Sequence, residues 1–427
     1  MFKEEKKSSQ TSQDSDVLSS PSDEIAASKI IKAYFKSGTP LELLGSGSKR
    51  LIGNKLQCEK TLSLSKLDGI IRYQPEESYI KVKACTPIKT IEEKLKMHKQ
   101  CLAFDPVDLG YIFKGESDQG TAAGSVATNF AGSSRFKYGS ARDHLLGFRG
   151  INGKGEIIKS GGTVVKNVTG YDLSKLVCGS YGTLVALTEL TFKVIPLQED
   201  ANTMVLYDLS IESASEFLKN VSQSSNDVTG AVHLPITSGA KNFETNIENI
   251  FKLNDLKSAS SYTAIRLEGS QVSIKEKIEN IKKELNLFES KMSVLESYQS
   301  KLFWQKIKNL EIFSNTKNSV LRIVVSPSSL VKTIYYLEKL TSQCFVDWAG
   351  NLLWTEIKNL SKENLIVLKK FVSNSDGYIT LIKSGEGLNF HDQAFTTNKI
   401  HYNISQKIKE SFDPKRILNP NKMYSGI

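Results

Sequence analysis

The sequence predicts a protein of mixed helices and strands in two domains, on three observations. The chain has 427 residues, more than a single hydrophobic core usually serves. Its first half carries short apolar strands separated by glycine loops; beyond Leu197 the glycine density falls and long amphipathic helices take over. Hydrophobic residues at 39% and charged residues at 24% match a globular chain with ample buried material.

Composition also excludes function classes. No run of eighteen apolar residues occurs, so no transmembrane helix is expected. The opening "MFKEEKKSSQTSQDSDVLSSPSDE" has no apolar core and mixes charge signs, which fits neither a secretory signal nor a transit peptide. A cytoplasmic location is therefore expected. Cys58, Cys85, Cys101, Cys178 and Cys344 are scattered, odd in number and without a CxxC pair, so reduced thiols are expected rather than staples or a cluster. The net charge of +10 leaves nucleic acid, an anionic surface or acidic ligands open. In "KEKIENIKKELNLFESK" the lysines alternate with acids as on a solvated helix face, so no nucleic-acid partner is expected.

Residues 1 to 20 are polar and Ser-rich and are expected to be disordered. Ser22 or Asp23 can cap a helix whose apolar positions Ala27, Ile30, Ile31, Tyr34 and Phe35 keep helical spacing, and Gly38 can end it. "PLELLGSGSKRLIG" reads as a short buried strand entering a Gly/Ser loop. "DGIIRY" and "SYIKVKA" are strands around a Pro-Glu-Glu-Ser turn. Thr86 as cap and Pro87 in the first turn open a helix through His98. "HLLGFRGINGKGEIIKSGG" predicts a hairpin turning at Asn152-Gly153 with positive φ, and "TLVALTELTFKVIP" a strand closing at Pro196. Helices are expected over 272–288 and 327–340, and near the end a helix is followed by a Pro-punctuated tail. The expected domains are 21–200, 201–395 and a returning segment 396–427. No internal repeat is visible.

Three glycine-rich stretches carry the chemistry. In "LLGSGSKR" the Rossmann pattern needs a third glycine where Arg50 stands, and no GxxxxGK[ST] is present, so both standard nucleotide loops are excluded. Successive backbone N–H groups of such a turn can still converge on an anion, although an ordinary tight turn explains it as well. "GTAAGSVATNFAGSS" leaves about fifteen residues almost without bulk, forfeiting apolar burial worth ~25 cal/mol per Å². A large, flat, partly apolar ligand with a pyrophosphate tail would fill both loops. In the third stretch, Gly161-Gly162-Thr163, Lys166-Asn167 and Gly170-Tyr171-Asp172 crowd together. Arg142 and Asp143 read as a surface ion pair without further context.

Together the motifs "GSGSK" at 45–49, "GTAAGSVATNFAGSSRFKYGSARDHLLG" at 120–147, "INGKGEIIKSGGTVVKNVTGYDLSKLVCGSYGTLVALTELTFKVIP" at 151–196 and "FDPKRILNPNKMY" at 412–424 resemble the FAD-linked oxidases of the vanillyl-alcohol-oxidase, or PCMH, flavin fold. Within that group they are most similar to the FAD-binding E subunits of bacterial glycolate oxidases. The resemblance implies an α+β protein: a PCMH-type FAD-binding domain of two α+β subdomains, an α+β cap domain, and a C-terminal tail returning to the first domain. It implies that Gly45, Ser46, Gly47, Ser48 and Lys49 take the FAD pyrophosphate. Gly120, Thr121, Gly124, Ser125 and Asn129 would lie along the cofactor. Arg142, Gly147, Gly162, Thr163 and Val194 would complete that wall. Lys166, Asn167, Gly170 and Tyr171 would press on the isoalloxazine or ribityl chain, and Asn419 would fold back toward the flavin.

The first loop has no histidine of the kind to which relatives attach FAD covalently, so the FAD is expected to be non-covalent. His98, His144, His233, His391 and His401 are isolated, with no HxH and no spacing suited to the metal set of hydroxy-acid-oxidising relatives. The catalytic base is thus unknown. The resemblance implies an FAD-binding subunit of a multi-subunit glycolate oxidase that passes electrons within the complex. Its implied partners are the homologous FAD-linked catalytic subunit and the iron–sulfur subunit of such an oxidase, together with the small 2-hydroxy acid substrate. Membrane association would come only through those partners, at the inner face of the plasma membrane. Lys166 or Arg142 would stabilise reduced flavin. A self-sufficient FAD enzyme for another 2-hydroxy acid or alcohol, and a scaffold that has lost its flavin, are the alternatives.

Overall fold

Asp23 caps the first helix, accepting a 2.8 Å bond from Ala26 N, and Gly38 ends Glu24–Ser37 in the left-handed region at φ 71°. A computed structural model describes residues 17–163, 170–235, 259–287, 291–386 and 393–427. The chain joins a sheet earlier than expected: Val17–Ser19 pairs in parallel with Lys60–Ser63, which also pairs with Leu41–Leu44. The apolar pair in "DVLS" thus adds an edge strand within the segment expected to be disordered.

Ile70–Gln74 and Tyr79–Lys83 form the expected antiparallel pair, with Ser78 at φ 52° in the turn. They continue into a five-stranded sheet through Val185–Lys193, Leu145–Asn152 and Ile157–Gly161. Two local expectations are corrected. The helix Ile88–Lys96 has Pro87, not Thr86, at its N-cap, because the Thr86 hydroxyl donates to Gly69 O and Lys83 O instead. In the 145–161 hairpin the positive φ falls at Gly155, at 79°, rather than at Asn152-Gly153. The Asn152 carboxamide closes that turn by accepting from Lys154 N and Glu156 N. Gly153 is small for another reason: a Cβ there would lie 2.2 Å from Asp413 Oδ1.

From Asp200 the chain builds a second, eight-stranded antiparallel sheet. Its order is Met292–Leu295, Asp200–Tyr207, Ser261–Gly269, Val228–Pro235, Thr341–Asp347, Leu352–Ile357, Ser319–Val324 and Tyr378–Lys383. The helices expected over 272–288 and 327–340 are Gln271–Glu284 and Leu330–Leu337, the latter behind a 3₁₀ turn at Pro327–Ser329.

This sheet holds a repeat of topology that the sequence does not show. Among the described residues, strand, helix, strand, strand, helix, strand runs once over 200–295 and again over 319–383, a split βαβ pattern twice over. The two units meet edge to edge, where His233 pairs with Val346. Only the topology repeats, so the sequence concealed it.

Helices carrying Phe217, Leu218, Ile274, Ile334, Leu365 and Leu368 bury one face of the sheet. On the other face Val205, Phe345, Leu352 and Trp354 pack against Ile52, Val107, Leu109, Ile112 and Phe130 of the first half. The last helix, Lys399–Phe412, and the tail after it return to the first half, where Leu418 bridges Leu41 in parallel. Among the described residues no helix is long and apolar enough to cross a membrane.

Candidate cofactor-binding site

The strand Leu41–Leu44 delivers the chain into "GSGSK" at the mouth of a cavity of about 850 Å³, the open solvent at its mouth included. Leu43, Leu44, Leu56 and Leu64 supply one wall. The helix Ala122–Thr128 supplies another wall through Ala123, Gly124, Ala127 and Thr128, and Tyr181, Gly182, Val185, Ala186 and Leu187 add to the lining. The lining is mostly apolar with a few polar groups, as ligand sites usually are.

In the "GSGSK" loop, no backbone N–H from Gly45 to Lys49 donates a hydrogen bond among the described residues. The loop folds on its carbonyls instead: Arg50 N donates to Gly47 O and Ile52 N to Lys49 O. Ser46 Oγ donates to Gln119 O at 2.8 Å, tying the first glycine loop to the second. Lys49 Nζ, from the same loop, is buried and without a hydrogen-bond partner. Cβ atoms at Gly120 and Gly124 would come within 3.6 and 3.9 Å of it. Burial pushes the Lys49 ammonium below its ordinary pKa, with Asp108 pulling the other way. An unpaired buried cation beside a row of unclaimed donors is a site for an anion. A pyrophosphate joined to a flat aromatic system satisfies both ends of the cavity, so these residues fit FAD.

The neighbouring helix does not share the anion. Ala122 N and Ala123 N donate to Thr86 O and Ala84 O, while Gly124 N donates to the Thr121 hydroxyl. Its small residues therefore act as a close-packed wall.

The returning tail makes the final wall. Asn419, at φ 44°, accepts from Leu43 N at 2.7 Å and donates to Tyr181 O at 2.8 Å. Lys422 Nζ donates to Arg50 O at 2.7 Å, and burial lowers it to about 8 although Glu42 raises it. Lys409, fully buried, holds this tail by donating to Thr183 O and Leu418 O and pairing with Asp413 at 2.8 Å. Tyr181 and Asn129 also adopt left-handed φ, at 52° and 51°. A bulky residue in that region is strained, and strain collects at functional sites.

Among the sequence-predicted residues, the cavity gathers Gly45, Ser46, Gly47, Ser48, Lys49, Thr121, Gly124 and Asn419. Gly120 and Ser125 face a smaller adjoining cleft with Asp108 and Lys308. Gly147, Gly162 and Thr163 line a separate groove on the five-stranded sheet, with Lys81, Arg149 and Glu189. Asn129 caps the helix Ala122–Thr128 at its C-terminus and accepts from Arg142 N. The Arg142 guanidinium reaches Lys175 O. Val194 is buried in the core and donates its N–H to Ser78 O. Tyr171 is 93% exposed, and Gly170 stands beside it ahead of Asp172, which caps Leu173–Val177. Lys166 and Asn167 lie outside the described residues. Leu43, Leu56, Cys85, Tyr181 and Lys422 were missed; only Tyr181, inside "CGSYGTL", carried a signal, as the bulky residue in a glycine turn.

His144 Nε2 bonds Tyr138 O, and His233 Nδ1 bonds the Thr263 hydroxyl with burial lowering its pKa to about 3. Both are core residues. Among the described residues no group of three metal-ligating side chains occurs, and all five cysteines are free.

Residues 15–161 match the family described as FAD binding domain. The chain is 31% identical over 391 residues to glycolate oxidase subunit GlcE of Escherichia coli (strain K12), covering 91% of this chain and 94% of that one. It is 27% identical over 328 residues to glycolate oxidase subunit GlcD of Bacillus subtilis (strain 168), covering 71% and 68%. The fold superposes on p-cresol methylhydroxylase with a TM-score of 0.70 at 12% identity, covering 94% of this chain and 87% of that one.

Proposed function

The chain belongs to the glycolate oxidase subunit GlcE family of FAD-linked oxidoreductases, and from that premise we propose that it is the FAD-binding subunit of a multi-subunit enzyme that oxidises glycolate to glyoxylate. The observation that carries this reading is the loop end of the cavity, where the five N–H groups of Gly45 to Lys49 are unclaimed and the buried Lys49 Nζ of the same loop has no hydrogen-bond partner. FAD, when bound, supplies the acceptor for the two electrons leaving the hydroxyl-bearing carbon. The "GSGSK" backbone would hold the pyrophosphate and Lys49 would neutralise it, without a covalent link. Leu43, Leu44, Ala127 and Val185 would exclude water from the ring system, and Asn419 would fix the last wall. Gly147, Gly162 and Thr163 would serve a distal part of the cofactor or the partner's approach to it.

The second half of the reading is a division of labour. No base for the hydroxyl proton stands out among the described residues of the cavity. A homologous GlcD-type subunit would perform the dehydrogenation while this chain holds a second FAD. An iron–sulfur protein of the same complex would take the electrons onward, since the scattered free thiols offer no cluster site. The complex would work in the cytoplasm, meeting the inner face of the membrane through its partners.

The test is an absorption spectrum of the purified chain, before and after acid precipitation, followed by anaerobic glycolate. A flavin band that moves to the supernatant, and bleaches only after the partner subunits are added, is the expected result. Bleaching by glycolate in the isolated chain would assign self-sufficient turnover instead. A colourless protein that takes up no FAD would remove the flavin.

A further inference from the structure

A second cavity, of about 810 Å³ with the open solvent at its mouth included, shares no lining residue with the cofactor site. It opens at the seam of the two halves: Asp105 and Tyr138 of the first half line it together with Arg266 and Glu268 of the strand Ser261–Gly269. Ile195, Pro196 and Leu197, where the chain passes from one half to the other, join Leu102 and Ala103 as its apolar lining. The cavity is within the size range of small-molecule sites.

Its polar groups are fixed in place. Arg266 is 9% exposed; its Nε donates to Thr229 Oγ1 at 3.1 Å, its Nη2 donates to Thr229 O at 3.0 Å, and its guanidinium lies 5.0 Å from the ring centre of Trp304. Gly230 leaves room for that ring, since a Cβ there would come within 3.0 Å of it. Nη2 also reaches Asp105 Oδ2 at 3.2 Å, and Glu268 stands 3.9 Å from Nε. Asp105 is held at φ 46°, a left-handed conformation that is strained for a residue other than glycine and that collects at functional sites. Among the described residues this leaves Arg266 Nη1 as an unused donor, Asp105 Oδ1 and the Glu268 carboxylate as unused acceptors, and the Tyr138 hydroxyl without a partner. Burial, with Glu268 adding to it, pushes the Tyr138 phenol up to about 12, so it remains a donor.

This lining sorts ligands by charge. Glu92, Asp105 and Glu268 outnumber Lys96 and Arg266, which disfavours a free acid, while the fixed guanidinium disfavours a simple cation. A neutral planar group that carries an acceptor beside a donor suits both: the guanidinium donates to a ring carbonyl and a carboxylate accepts from the neighbouring N–H and amino groups, the pattern that guanine offers. We propose that Asp105, Tyr138, Arg266 and Glu268 form a binding site for a guanine nucleoside at the seam of the two halves, separate from the cofactor. The site does not rest on the flavin reading. A bound nucleoside ties the first half to the second sheet and raises the melting temperature, as any ligand does that binds only the folded state.

The experiment is a calorimetric titration of the full-length protein, with and without FAD, using guanosine, adenosine and glycolate as separate titrants. Guanosine should bind at least tenfold more tightly than adenosine, whose edge reverses the donor and the acceptor, and glycolate should not displace it. Glu268→Gln, which keeps the shape and loses the charge, should weaken guanosine at least tenfold, and Tyr138→Phe by about threefold. No binding of guanosine, equal affinity for the two nucleosides, displacement by glycolate, or wild-type affinity in a folded Glu268→Gln protein overturns the proposal. Should Glu268→Gln fail to fold, wild-type affinity in Tyr138→Phe overturns it. A yellow protein that binds no guanosine defeats this site alone, while guanosine binding in a protein that takes up no FAD defeats the flavin reading and leaves the site standing.

Discussion

Ser133 Oγ donates a 3.0 Å hydrogen bond to Asp347 Oδ2, joining the loop after the second glycine run to a strand of the eight-stranded sheet. The contact is reinforced on both sides: Trp348 N donates to Asp347 Oδ1 at 2.7 Å, and Trp348 Nε1 donates to Gly132 O at 2.9 Å. Burial raises the Asp347 carboxyl to about 7; the Trp348 N–H, the Ser133 hydroxyl and Arg266 oppose the rise, and Asp105 adds to it.

A raised folded-state pKa means that the folded protein retains a proton that the unfolded chain gives up near 3.8. The associated stability is complete below that value and is lost as pH climbs toward 7, at ~1.4 kcal/mol per pH unit inside the window. Asp347→Asn removes the titration. Thermal melts at pH 5 and pH 8 should show the variant gaining on the wild type by a few kcal/mol at the higher pH. Parallel stability curves for the two proteins would mean that the carboxyl is ionised throughout.

Lys49→Met separates binding from stability. The ammonium has no partner in the protein, so its removal should leave the FAD-free chain at least as stable, with a gain of up to ~1–4 kcal/mol. FAD affinity should fall by about ten- to a hundred-fold, as ~1.4–2.8 kcal/mol of charge-assisted contact would give. Flavin titration and melting of the FAD-free protein measure the two effects, and an affinity equal to wild type would place the pyrophosphate elsewhere.

Asn419→Ala strands Leu43 N and Tyr181 O, each of which now bonds the carboxamide. At ~1–3 kcal/mol for each unsatisfied buried group, urea unfolding should show a loss of about 2–6 kcal/mol. Asn419→Asp keeps an acceptor for Leu43 and loses only the donor, so it should fall between. Equal losses in the two variants would indicate that the Tyr181 bond alone matters.

Gly153→Ala would drive a methyl group into Asp413 at 2.2–2.5 Å, whereas nothing lies within 4 Å of a Cβ at Gly162. The first change should cost ~1–3 kcal/mol; Gly162→Ala should alter stability by less than about 0.5 kcal/mol. Denaturant midpoints for the pair decide whether Gly153 is small because of the last helix or because of its own turn.

The glycine loops were legible because close backbone approach leaves a compositional mark, and Lys49 was legible because it follows one. Local signals also placed the caps at Asp23 and Gly38 and the hairpins. Thr86 and Gly153 were misread because their roles depend on distant partners, Gly69 and Asp413. Leu43 and Lys422 looked like ordinary strand and tail residues until the returning chain brought them together. The doubled unit of the second sheet was invisible because amphipathic helices and alternating strands repeat a pattern that many sequences satisfy.

The wall built by Asn419 and Lys422 leaves the ribosome after every other part of the cavity lining. During translation the "GSGSK" loop, the glycine helix and Tyr181 exist first as an open trough, with Leu43 N and Tyr181 O still facing water. A cofactor can enter that trough from the side before the tail crosses it. Afterwards the tail closes that side and entry is left to the cavity's mouth, so the finished protein should load more slowly than a chain whose C-terminal segment has not yet docked.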